Sequence, residues 1–107
     1  MKKSVTLDHI NLTVGNFSET VAWYNKVFGF SLVEQGIEDD GPWGVIRSGD
    51  TMLCIYESPR RVRLDGENSD RFHHIYHFGL RIKDRREWEE TLSIEKLRTY
   101  YGGAIAY

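Results

Sequence analysis

The residues of this chain best suited by type and placement to do chemistry are its four histidines. Three of them, His73, His74 and His77, crowd into "RFHHIYHFGLRI" at positions 71–82. The fourth, His9, opens "LDHINLTV", where it again stands at the head of an alternating apolar run. Imidazole is a common ligand for divalent metals and titrates near neutral pH. On residue type alone, a histidine on the polar face of a strand is equally an ordinary, partly exposed polar residue. The pattern around each histidine separates these readings, so the elements that must position them come next.

From Val5 to Val14 the chain alternates, with Ile10, Leu12 and Val14 on one face and His9, Asn11 and Thr13 on the other, the period of a strand with one polar face. In the following "NFSETVAWYNKVFGF", Asn16 can cap a helix and Glu19 holds the capping-box position. Phe17, Val21, Tyr24 and Phe28 fall on one helical stripe, and Gly29 supplies a stop. "SLVEQGIE", "WGVIRS" and "TMLCIYE" then read as three strands joined through the turn-rich "DDGP" and "SGD". The order is strand, helix, strand, strand, strand.

After the polar stretch "SPRRVRLDGENSDR" the opening pattern returns. A shift of 68 positions lays His77 on His9, Leu80 on Leu12, Asp84 on Asn16 and Glu87 on Glu19, with Phe78 and Ile82 in place of Ile10 and Val14. The matches fall on the cap, the histidine and the core face together, which marks an internal duplication. By this repeat His77 is the counterpart of His9. His73 and His74 precede the second strand and are expected at the surface or at a rim, with His74 a reserve candidate.

Composition bounds the rest. A chain of 107 residues, 40% hydrophobic and 28% charged, is one small globular domain's worth of sequence. A formal net charge of −2 provides no basic stripe, which excludes nucleic acid and anionic membrane surfaces as expected partners. A single cysteine excludes an intrachain disulfide, the opening "MKKSVTLDHINLTV" has no apolar signal core, and no window nears the roughly 18 apolar residues of a membrane span. The expected location is cytoplasmic. Cys54, in an apolar strand, is expected as a small buried hydrophobe rather than a nucleophile. Trp23, Trp43, Trp88 and the tyrosines are expected mainly in the core. Arg60, Arg61, Arg63 and Arg71 read as a solvated loop, with anion recognition as the less favoured role.

The stretches "LDHINLTVGNFSETVAWYNKVFGF", "GDTMLCIYE" and "HFGLRIKDRREWEETL" together resemble the vicinal oxygen chelate superfamily of glyoxalase I, extradiol dioxygenases and the fosfomycin and bleomycin resistance proteins. The resemblance implies an α+β fold. A βαβββ module would form a curved mixed sheet, a half-barrel cup with one covering helix, and an incomplete second βαβββ module would follow. The implied division is 1–57 for the first module, 58–73 for a polar linker and 74–107 for the second. The family's ligand pattern maps onto His9, Glu57 and His77, with Glu57 also the catalytic carboxylate. A fourth ligand would be a carboxylate on a strand past Tyr107. The short second module implies a truncated gene product or completion by another copy, and unpaired edges imply a homodimer or larger assembly.

Two imidazoles and a carboxylate leave open positions on a six-coordinate divalent ion, and nickel, zinc, manganese and ferrous iron all suit such donors. The implied function is therefore a metal-dependent lyase, isomerase or dioxygenase acting on a small substrate with neighbouring oxygens. Asn11, Trp43, Tyr56 and Arg81 are the expected substrate-pocket residues. The rival reading is a metal-free module that sequesters an apolar or aromatic small molecule against Trp43, Tyr56 and Phe78. A third is an inactive fragment.

Overall fold

A computed structural model of the chain describes residues 5–60 and 78–99. The chain divides into two compact units, Met1–Arg63 and Leu64–Tyr107. In the first, β1 (His9–Val14), α1 (Phe17–Phe28), β2 (Ser31–Glu38), β3 (Gly41–Ser48) and β4 (Thr51–Glu57) follow the expected order. They form one curved mixed sheet with strand order β1-β4-β3-β2, the βαβββ arrangement. The direction of each strand follows from its connection. Helix α1 reverses the chain, two tight turns at 39–40 and 49–50 reverse it twice more, and β4 therefore runs parallel to β1 while β3 is antiparallel to both neighbours.

Local chemistry sets the helix ends. The Asn16 side-chain oxygen accepts the backbone N–H of Glu19 at 2.9 Å, and the chain leaves α1 through Gly29 at φ 75°, a left-handed geometry in which a side chain is strained. One stripe of α1 then faces the sheet, and Phe17 and Val27 are buried on it. Phe30, Ile46, Leu53 and Ile55 complete the core. The last three are almost wholly enclosed, and each contributes about 1.5–3 kcal/mol through burial. Tyr24 packs edge-on against Phe30, and burial pushes its phenol above the ordinary value.

Three expectations are corrected in this unit. Residues 5–8 are not part of the strand, which begins at His9 where pairing with Met52 starts. Trp23 is not core: it stands 45% exposed on α1, edge-on to Tyr24 and Phe28. Cys54 is only half-buried, because strand alternation turns it away from Leu53 and Ile55.

In the second unit α2 spans Arg85–Ile94. Its cap repeats that of α1 at the expected shift: the Asp84 side chain accepts the Glu87 N–H at 3.1 Å, and the cap residues Asn16 and Asp84 have similar extended backbones. The helix ends with Lys96 at φ 52° and a Leu97 N–H to Leu92 carbonyl bond, a left-handed stop built without glycine. The strand expected at "HFGLRI" is not formed over 78–82. A strand is held by its ladder. Segment β1 has β4 as partner, whereas 78–82 has none among the described residues. The helices of the described residues include none long and apolar enough to cross a membrane.

Candidate functional site

The first unit presents two sheet faces of different character. Ile10, Leu12 and Val14 face α1 with Ile46, Leu53 and Ile55, as the alternation and cross-strand register require. On the opposite face the register draws three rows: His9, Met52 and Arg47; then Asn11, Cys54 and Val45; then Thr13, Tyr56 and Trp43, the last opposite Gly36. His9, Asn11 and Thr13 are exposed there, Tyr56 is 37% exposed, and Trp43 and Cys54 are half-buried. Three of the expected site residues, Asn11, Trp43 and Tyr56, thus share one open face with His9.

The aromatic end of this face is ordered by geometry. Trp43 and Tyr56 are directly paired across β3 and β4, with ring centroids 6.2 Å apart and planes within 23° of parallel. The Trp43 indole lies against Gly36 so closely that a Cβ there would meet Nε1 at 2.7 Å. A glycine inside an otherwise regular strand pattern signals such an approach, and "SLVEQGIE" carries that signal at Gly36.

At the other end, Asp8 Oδ2 holds His9 Nδ1 at 2.7 Å in an exposed pair, and the Arg47 guanidinium reaches the Met52 sulfur at 3.6 Å. Between the two ends, burial first, then the Asp8 and Glu34 carboxylates, push the Cys54 thiol above its ordinary value of 9.0. The thiol stays protonated at neutral pH, the opposite of what a nucleophile needs.

Glu57, expected as a ligand beside His9 and as the catalytic carboxylate, is placed apart from it. It continues the Leu53 and Ile55 face, so it points to the α1 side while His9 points away from it. It is also five positions along β4 from Met52, the residue paired with His9, a separation of about 16 Å at the rise of a strand. Two donors to one ion, each about 2.0–2.2 Å from it, cannot be so placed. Instead the carboxylate accepts the Phe17 N–H at 2.9 Å, at the first turn of α1. Half-buried there, it satisfies an amide that the helix leaves without an internal partner and adds negative charge at the positive end of the helix.

Among the described residues, no group of three histidine, cysteine, aspartate or glutamate side chains is placed to hold a metal ion. Of the expected ligand set His9, Glu57 and His77, the two described members, His9 and Glu57, are not brought together. His77, with His73, His74, Arg61, Arg63 and Arg71, lies outside the described residues. Arg81 is exposed in the second unit, and Phe78 is half-buried there. Arg60 is engaged: with Ser58 it binds Asp40, its Nη2 lying 2.7 Å from the carboxylate, and ties the β2–β3 turn to the chain leaving β4. These bonds hold Asp40 below the ordinary carboxylate value.

A βαβββ sheet with one apolar, helix-covered face and one open face carrying polar and aromatic side chains defines the class of module. Residues 6–97 match the glyoxalase/bleomycin resistance protein/dioxygenase superfamily, and the chain belongs to that superfamily. A comparison with curated proteins finds no match. Among solved structures, a bleomycin resistance determinant encoded on the transposon Tn5 is 22% identical, with a TM-score of 0.58 over 91% of this chain and 70% of its own. A protein from the mobile metagenome of V. Pseudocholerae is 18% identical (TM-score 0.57, 92% of this chain, 72% of its own). An integron cassette protein from V. Cholerae is 17% identical (TM-score 0.57, 90% and 71%). At these identities the likeness is one of fold.

Proposed function

We propose that this protein binds a flat aromatic small molecule on the open face of the β1–β4 sheet, as a binding module of its superfamily that needs no metal. The observation that carries the reading is the Trp43–Tyr56 pair, two near-parallel rings on the face away from α1. Such rings offer a large apolar surface to a planar ligand, and a good stacking contact is worth about 0.5–1.5 kcal/mol beyond its area. Asn11 and Thr13 stand beside them as hydrogen-bonding groups that can orient a ligand.

The test is a fluorescence titration with 9-aminoacridine, a flat tricyclic probe. Saturable one-to-one binding is expected, weakened at least about tenfold, or about 1.4 kcal/mol, by Trp43→Ala. Equal affinity in the variant and the wild type defeats the reading.

A metal-dependent enzyme is the second reading, and the Asp8–His9 bond favours it. A carboxylate on Nδ1 leaves Nε2 free, which is how histidine ligands are commonly oriented. In this reading His9 is a ligand of the ion and Glu57 is not. Calorimetric titration with nickel or zinc separates the two: the metal reading requires tight binding that His9→Ala abolishes and Glu57→Gln leaves in place.

A further inference from the structure

Gly36 is the residue of β2 directly opposite Trp43, in the row that continues through Tyr56 to Thr13. A Cβ built on Gly36 would lie 2.7 Å from the indole Nε1, 2.8 Å from Cε2 and 2.8 Å from Cζ2. All three atoms belong to one side of the ring system, so the indole rests on the backbone of β2 where any other residue would put a side chain. The conformation of Gly36 is not the reason for glycine, since its φ is not among the positive ones. Space is the reason. The seat has a second consequence, because the same indole lies within 23° of parallel to the Tyr56 ring. A ring raised or turned by a methyl group beneath it would lose both the seat and that alignment.

We infer that Gly36 is the positioning residue of the ligand surface: it seats Trp43 against the sheet, stacked with Tyr56, so that the two aromatic rings keep one fixed orientation toward a planar ligand. The inference rests on the proposed binding role of this face. It extends that role by naming a residue that touches no ligand and still sets affinity. Leu, Val or Ala at position 36 suits strand formation at least as well as glycine, so the reason for glycine lies in the approach of the ring rather than in the strand itself. The thermodynamic sign follows. Gly36→Ala removes unfolded-chain entropy and favours the strand, but it forces the indole to move. Stability and ligand affinity therefore respond separately, and affinity takes the loss.

Two measurements on the full chain test this. In the first, the three indole N–H signals are followed by NMR, with that of Trp43 assigned through Trp43→Phe. Gly36→Ala should move the Trp43 signal and leave those of Trp23 and Trp88 in place. In the second, 9-aminoacridine is titrated into the wild type, Gly36→Ala, Trp43→Ala and the double variant. Gly36→Ala should weaken binding at least tenfold, and the double variant should bind as Trp43→Ala does, because a residue that acts through the indole has nothing to act on once the indole is gone. Wild-type affinity in Gly36→Ala, or an unmoved Trp43 signal, overturns the inference and leaves the binding role standing. A further loss in the double variant, beyond that of Trp43→Ala, also overturns it by showing an effect independent of the ring. Absence of probe binding in the wild type overturns both the inference and the reading of the face beneath it.

Discussion

Replacing Glu57 by alanine should destabilise the protein by about 2 kcal/mol, although Glu57 stands at the end of a strand where a solvated side chain would cost almost nothing. The magnitude comes from what its carboxylate holds. Oε1 accepts the Phe17 N–H at 2.9 Å, and a hydrogen bond to a charged group contributes about 1.5–3 kcal/mol net. Negative charge at the first turn of a helix adds about 0.3–1 kcal/mol. Because Glu57 is only half-buried, water can partly replace the lost acceptor, which places the total near the lower part of the combined range. Glu57→Gln separates the two contributions. The amide oxygen keeps an acceptor at the same reach and loses the charge, so its cost should be only about 0.3–1 kcal/mol. Urea unfolding followed by far-UV circular dichroism reads both, with the slope unchanged and the midpoint lowered. If Glu57→Ala unfolds within about 0.3 kcal/mol of the wild type, the limit to which independent effects are resolved, then the bond to α1 has no structural weight and the reasoning fails.

Asn16→Ala removes the side-chain acceptor for the Glu19 N–H and should cost about 1 kcal/mol, measured by the same unfolding curves; Asn16→Asp, which keeps the acceptor, should cost little. Asp40 gives a pH signature. Its folded value lies below the ordinary 3.8 because Arg60 and then Ser58 donate to its carboxylate, so the stability it contributes is full above the unfolded value and is lost as pH falls through the lowered folded value. The difference between wild type and Asp40→Asn should therefore be present near pH 6 and vanish at the acid end of a urea series; a difference independent of pH speaks against the cluster.

Much of the first module was legible in the residues because its signals are local. Asn16, Glu19 and Gly29 mark the ends of α1 within a few neighbours of each other, and the structure forms the cap and the stop at those positions. The same signal, shifted by 68 positions, located the cap of α2 at Asp84. The strand expected at 78–82 does not form there for the complementary reason: alternation gives a segment the means to be a strand, but a ladder partner makes it one, and that partner is not local. Glu57 shows the boundary most clearly. Its alternation with Leu53 and Ile55 already placed it on the apolar face, yet its separation from His9 depends on the pairing of β1 with β4, residues more than forty positions apart. Likewise a lone glycine in β2 announced a close approach without naming what approaches. The tight turn at 39–40 fixes the antiparallel register that sets Trp43 opposite Gly36, but the way the indole lies, onto Gly36 and near-parallel to Tyr56 of β4, is decided only by packing within the folded sheet.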